Sequence, residues 1–389
     1  MSDVTPTISP QPQLTISPQP QPAVVCTPTL DDLPDPPPDK AGWPWTEQSE
    51  LLPETRSDGT PWPKISIVTP SYNQGQFIEE TIRSVLLQGY PNLEYIVMDG
   101  GSTDESVEII EKYERWIDNW VSEEDRGQTH AINKGMKRCS GDIFNWINSD
   151  DLFAPGAFRI VAERLAEKQA TVVCGYNRQF YDDTGKTAAH VRVRLTDTIE
   201  KTLVEGHFRQ LPTFYRSDAL RPLGELDESL DFVMDEELWL RYLLTYGQHQ
   251  IIFTDEVLGH FRLHDSSKTV SRQALFQEEL LGLMEVLRSV VEPGQDSQTT
   301  PGSKDGDTHQ ALRAAARRRS LHDRRLLSYL YQNLAAHRRP GSRIESFVLI
   351  IKALLHYPFR SFTEYRYLIG LLFPEIAKFA RMLRTSQNQ

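Results

Sequence analysis

Apolar positions along the chain fall into short runs separated by polar punctuation, and the period changes from run to run. Ile65 to Thr69 is a β-branched apolar run, which predicts a buried strand. Pro70-Ser71-Tyr72-Asn73 then turns the chain. Phe77, Ile78, Ile82, Val85 and Leu86 recur at helical spacing, and Gly89 with Pro91 stops that helix. Leu93 to Met98 predicts a second strand. Ser102 and Glu105 have the spacing of a capping box, which would open a helix burying Val107, Ile110, Tyr113 and Ile117. Trp120-Val121 is a short third strand, Thr129 to Arg138 a helix, Ile143 to Ile147 a strand, Pro155 to Lys168 a helix and Thr171 to Gly175 again β-like. Strands alternating with helices imply an α/β domain with a largely parallel sheet. Ligands of such sheets bind outside the carboxyl ends of the strands, where Asp99, Asp150 and Asp151 fall.

The flanks read differently. Residues 1–62 are proline-rich and polar, and Thr7-Ile8-Ser9-Pro10-Gln11-Pro12-Gln13 recurs at Thr15 to Gln21. Such a segment favours extended conformations and cannot build a core, so a disordered tail is expected. Trp43, Trp45 and Trp62 suggest that its last part docks on the adjoining domain. The α/β domain is assigned to residues 63–292, and a Gly/Ser/Asp/Pro/Thr-rich linker to 293–309. A helical, Arg-rich C-terminal region takes 310–389. For this last region a packed appendage is the first expectation, and an amphipathic surface for the inner face of a membrane the second.

Composition narrows the class. Of 389 residues, 54 are acidic and 42 are Lys or Arg, a net charge of -12. That argues against nucleic acid as the partner, because phosphate neutralisation needs a basic excess. Cys26, Cys139 and Cys174 are too scattered for a disulfide framework or a structural zinc site. No secretory signal and no uninterrupted run of about 18 apolar residues is seen. A cytoplasmic protein is expected, with a peripheral place at the inner face of the plasma membrane as the alternative.

Several clusters can carry chemistry. Asn148-Ser149-Asp150-Asp151 sets two carboxylates at a strand end, where a divalent cation such as Mg²⁺ or Mn²⁺ with substrate phosphates is one compensation and helix capping another. Asp99 precedes Gly100-Gly101-Ser102-Thr103-Asp104, suited to a base or ribose contact or to an ordinary turn. Arg126 and Lys134 can reach a diphosphate or sit solvated. Asp235-Glu236-Glu237 opens an apolar-periodic helix, where acids favour the dipole or supply a general base. His260 and His264 share one face in either secondary structure, and His264 is the better candidate metal ligand.

Together these blocks resemble family 2 glycosyltransferases of the GT-A fold, from about Lys64 to Val270. The landmarks are Ile65 to Asn73, Val97-Met98-Asp99-Gly100-Gly101-Ser102-Thr103-Asp104, Asp125-Arg126-Gly127-Gln128 with Ala131-Ile132-Asn133-Lys134-Gly135, Gly141-Asp142-Ile143, Asn148 to Asp151, Gln210 to Arg216, Leu226 to Leu230 and Met234 to Trp239. The resemblance implies a nucleotide-sugar site at Pro70, Tyr72, Asn73 and Asp99, with Arg126 and Lys134 toward the diphosphate and Asp150 toward the ribose or sugar. It implies a divalent metal on Asp151, to which His264 is the candidate further ligand from the residues alone, and Asp235 as catalytic base with Glu236 as the fallback. The implied reaction is inverting transfer from a nucleotide-diphosphate sugar, UDP-linked by preference, to an acceptor hydroxyl. A saccharide or lipid-linked saccharide of a cell-surface polysaccharide or glycolipid is the implied acceptor.

This chain departs from the family pattern at three places. Ile132 stands where many members have Arg, His130 where relatives often have Asp, and Gly100 where a second Asp is frequent. His130, Tyr176 and His207 are expected among the residues that choose sugar and acceptor. The competing readings are a catalytically silent module that binds nucleotide or partner, and a sugar nucleotidylyltransferase. The latter would want a Gly-rich basic loop where Pro70-Ser71-Tyr72-Asn73-Gln74 stands.

Overall fold

The structure is a computed structural model and describes residues 27–166, 169–265, 267–292, 309–318, 324–337, 349, 351–353 and 355. In chain order its elements are β1 (Ile65–Ser71), α1 (Gly75–Leu86), β2 (Leu93–Asp99), α2 (Ser106–Tyr113), β3 (Asn119–Ser122), α3 (Gln128–Met136), β4 (Ile143–Trp146), β5 (Leu152–Phe153) and α4 (Ala157–Leu165). They continue with β6 (Val172–Tyr181), β7 (Thr187–Arg192), α5 (Ile199–Glu205), β8 (Thr213–Arg216), α6 (Ser217–Leu220), α7 (Met234–Tyr246) and β9 (Ile251–Leu263). Last come α8 (Lys268–Ser271), α9 (Gln273–Val291), α10 (Gln310–Arg318) and α11 (Arg324–His337).

One sheet runs β3-β2-β1-β4-β8-β6-β9-β5, with β7 added to the outer part of β6. The first half is parallel: β1 lies between β2 and β4, and β3 pairs with β2. The second half is mixed, with β8 antiparallel to β4 and β6, β7 antiparallel to β6, and β9 parallel to β6. The pairs β1/β2 and β2/β3, each joined by a helical crossover, are parallel, as that connection demands. All seven residues of β1 are buried, because strands flank it and helices cover both faces. On one face Ile67, Ile78, Ile82, Tyr95 and Val97 pack together. On the other Val68, Ile96, Met98 and Trp146 share one apolar cluster with Ala131 and Ile132 of α3 and, further out, with α7 and α9. Each fully buried side chain of this kind contributes about 1.5–3 kcal/mol. Phe208, Trp239 and Tyr242 stack in series, at 4.8 and 5.5 Å between centroids, which fixes α7 against the chain before β8.

Both flanks belong to this body. Residues 27–62, expected as tail, lie on the domain and bury Leu33, Trp45 and Trp62. The reason is Arg83 of α1. It is fully buried, donates to the carbonyls of Pro34, Pro44 and Trp45 and to the Tyr113 hydroxyl, and faces the Trp45 ring. The docking anticipated for the tryptophans is present: Trp43 Nε1 donates to the Phe153 carbonyl at 2.9 Å. Residues 1–26, and the expected linker before His309, lie outside the described residues. Within the C-terminal region expected to be helical, the described residues form α10 and α11. Their apolar residues Leu312, Ala316, Leu327, Leu330 and Tyr331 are buried with α7 and α9. Those faces are therefore covered, and membrane association through them is not supported. Among the described residues no helix is long and apolar enough to cross a membrane; most of the region from Ser342 to Leu383 lies outside them.

Candidate active site

The loops after β1, β2 and β4 meet at the carboxyl edge of the sheet. Pro70 lies within β1. Tyr72 just beyond is 60% exposed. Asn73 takes a left-handed backbone, φ 51°, which Asn tolerates. Its side chain accepts from Thr103 N and its own N–H donates to Ser102 Oγ, both at 2.8 Å, so the first two loops are laced together. The expected Ser102/Glu105 capping box does not form. Ser102 Oγ is engaged by Asn73 and Asp99, and Asp104 accepts instead from Gly75 N and Ser106 N, capping α1 and α2 together.

Asp99 is 1% exposed. Its carboxylate accepts from Gly101 N, Ser102 N, Ser102 Oγ and Ser122 Oγ, at 2.5–3.1 Å. It therefore holds the shape of the loop that carries it. Gly101 has φ +82°. At Gly100 a Cβ would stand 2.7 Å from an Asp125 carboxylate oxygen, so a larger residue there would need the Asp125 side chain to move.

Asp150 and Asp151 come after β4 and behave differently. Asp151 is 2% exposed, and one of its oxygens accepts the Arg262 N–H at 2.9 Å. Burial, with the charge of Asp150 beside it, holds its carboxyl well above the usual range. Asp150 is more open, and its Oδ2 lies 3.0 Å from His264 Nε2. The His264 ring rests on Phe77, 4.6 Å between centroids. The expected Asp151–His264 partnership is thus an Asp150–His264 contact, with Asp151 locked beneath. Arg262 arranges this: it donates to the Asp150 carbonyl, pairs with Glu80 and Asp182, and faces Phe77 and Phe180. His260, opposite Leu152 in the sheet, is elsewhere. Burial and the charges of Arg178 and His190 lower it to about 4. Among the described residues, no group of three or more His, Cys, Asp or Glu is placed to hold a metal alone. An oxygen and a nitrogen donor side by side do suit Mg²⁺ or Mn²⁺ when diphosphate oxygens complete the shell.

Arg126 and Lys134 are already paired, Arg126 with Glu228 at 2.6 Å and Lys134 with Glu123 at 2.7 Å. Arg126 N also donates to His130 Nδ1, which gives the unusual histidine a local structural use. A cation not singled out from the sequence stands nearer the Asp150 loop. Lys268 Nζ donates to Gln128 Oε1 at 3.1 Å, and Gln128 Nε2 donates to Asn148 Oδ1 at 2.7 Å. A single lysine in Ser267-Lys268-Thr269 carries no sequence signal of this.

Asp235 and Glu236 open α7, both partly exposed. Burial pushes Asp235 up to about 6. Burial, and then the neighbouring Asp235 charge, push Glu236 up to about 8. Near neutral pH, Asp235 is therefore a carboxylate beside a protonated Glu236, one base rather than two. The helix is fixed from behind. Glu279 of α9 accepts the N–H groups of Asp231, Phe232 and Val233 at 2.9–3.2 Å. Glu237 and Arg241 form a buried pair, and Arg241 also donates to the Leu223 and Glu225 carbonyls.

The sheet thus has a parallel half and a mixed half, with an acidic pair at one strand end and a desolvated carboxylate on a later helix. The sequence model described as Glycosyl transferase family 2 matches residues 66–224. An uncharacterized glycosyltransferase of Rickettsia typhi is 30% identical over 220 residues, which is 53% of this chain and 66% of the relative. A putative teichuronic acid biosynthesis glycosyltransferase of Bacillus subtilis is 35% identical over 131 residues, 32% of this chain and 52% of the relative. The chain thus spans just under two thirds of the first relative and about half of the second. Among solved structures, S. aureus TarS 1-349 in complex with UDP-GlcNAc aligns with a TM-score of 0.49 and 16% identity, over 76% of this chain and 89% of that one. A likeness at that level says nothing about the ligand of this chain.

Proposed function

We propose that the protein transfers a sugar, with inversion, from a nucleotide-diphosphate sugar to an acceptor hydroxyl, with UDP the nucleotide to test first. The observation that carries this reading is the pairing of two chemistries in one family 2 domain: the Asp150–His264 donor pair and the base-competent Asp235. Tyr72, exposed beside the Asp99 loop, offers a ring to the nucleobase, and Asp99 keeps that loop in shape. Asp150 and His264 would hold a divalent cation, whose chemistry is to neutralise the departing diphosphate. Lys268 adds a positive charge on the same side. Asp235 accepts the proton of the acceptor hydroxyl as that oxygen attacks the anomeric carbon. Glu236, protonated, leaves the negative charge on its neighbour. The acceptor is read as a cell-surface polysaccharide or glycolipid precursor, in keeping with the teichuronic acid role named for the Bacillus relative.

The test is calorimetric titration of the protein with UDP, GDP and dTDP, each with and without Mn²⁺. Metal-dependent binding of UDP, lost in His264→Ala, is the expected result. Binding of none of the three would sink the reading and favour a silent module. Binding unaffected by EDTA would remove the metal.

A further inference from the structure

The protein carries a net charge of -12, yet one of its edges is basic. In β7 and the residues after it, His190, Arg192 and Arg194 alternate with Val191 and Val193. The first three are exposed, while Val191 is half-buried and Val193 buried. That alternation places the three polar side chains outward at a repeat of about 6.6 Å. Arg178 of β6 stands directly opposite His190 on one side and His260 on the other. Beyond the strand, Arg194 and His207 exchange backbone hydrogen bonds at 2.9 and 3.1 Å, which carries the stripe to His207 and Arg209.

Among the described residues these arginines donate mostly to neutral groups. Arg178 donates to Thr187 Oγ1 and the Gly185 carbonyl, Arg194 to the Glu205 carbonyl, and Arg209 to the Phe208 carbonyl. All of these acceptors are neutral. Arg192 meets the Asp255 carboxylate at 3.2 Å, but that carboxylate is 92% exposed, so the pair is weak. Arg209 Nε is buried without a partner among the described residues. Arg209 also lies close enough to Asp235 and Glu236 for its charge to favour their ionised forms. The stripe therefore begins at the base and runs outward along an exposed sheet edge.

We infer that the His190–Arg192–Arg194–His207–Arg209 stripe is the acceptor track, and that the acceptor is a linear anionic glycan bearing carboxylates or phosphodiesters along its length. This rests on Asp235 being the base: the chain lies on the arginines and presents its terminal hydroxyl to Asp235. The arginine charges repeated along one line fit a linear polyanion better than a compact anion, and a neutral glycan would leave them unmatched, while His190 and His207 add hydrogen-bonding groups between them.

The test is binding of fluorescent polygalacturonate, poly(glycerol phosphate) and neutral dextran to the full chain, at about 50 and 200 mM salt. The first two probes separate carboxylate from phosphodiester recognition. At least one polyanion is expected to bind, more weakly at the higher salt, and dextran is expected not to bind. Arg192→Gln/Arg194→Gln should weaken polyanion binding by about tenfold while leaving UDP binding unchanged. Lys137→Gln/Arg317→Gln, which removes as much charge elsewhere, should not weaken it. Equal binding of dextran, equal loss in both double variants, or equally tight binding of single-stranded RNA would each overturn the assignment. Glycan binding is read without turnover, so a failure of the transferase reading would show separately, in the nucleotide titration.

Discussion

Replacing Asp235 by Asn should inactivate the protein and make it more stable, both from one cause. In the folded protein the Asp235 carboxyl is raised from 3.8 to about 6. A group raised in this way favours folding while protonated in both states, and that contribution is lost as the pH rises from 3.8 through 6. The full difference corresponds to about 3 kcal/mol. Water reaching the partly exposed side chain reduces it to about 1–3 kcal/mol. Asn carries no charge to desolvate, so Asp235→Asn should melt about 3–9 °C above the parent at about pH 8, and the gap should roughly halve near pH 5. Donor turnover with acceptor should fall by about 10²–10⁴-fold, while UDP binding persists. The parent's turnover should rise with pH through about 6, as the base ionises. Calorimetric melts at the two pH values, beside initial rates, check all of this. A variant that melts at or below the parent at pH 8 would refute the desolvation argument; one that turns over normally would remove Asp235 as base.

Two further substitutions probe the supports of the site. Arg262→Met strips Glu80, Asp182 and the Asp150 carbonyl of one shared donor, and should cost about 3 kcal/mol and weaken Mn²⁺-dependent nucleotide binding in calorimetry. Glu279→Ala leaves three N–H groups before α7 without their acceptor; a loss of about 2 kcal/mol in denaturant unfolding and a lower kcat at unchanged UDP affinity are expected.

What the sequence made legible was whatever depends on neighbours in the chain. The runs at Ile65 and Leu93, the turn after Asp99 and the acids opening α7 were readable because period and spacing are local. Phe253 to Leu263 lies within β9, which delivers His264 to Asp150. Partnerships across the fold were hidden. Nothing near Glu279 reveals that it receives three N–H groups from a loop 46 to 48 residues earlier. Lys268 meets Gln128 across 140 residues. Ser102 and Glu105 had the spacing of a cap, but Asp99 and Asn73 compete for Ser102 and win. Residues 27–62 read as disordered because composition counts prolines; it does not see that a buried guanidinium needs their carbonyls.

That last contact bears on how the protein is made. Arg83 reaches back to Pro34, Pro44 and Trp45, and Trp43 reaches forward 110 residues to Phe153. On a ribosome the proline-rich segment emerges first but has no seat until α1 and β5 have emerged behind it. It then closes over a domain already half built. A fragment begun at Lys64, just before the family-model match, would carry Arg83 into the interior with three of its acceptors deleted. The smallest unit that can be expressed as a folded protein is therefore longer at its amino end than the segment the family model matches.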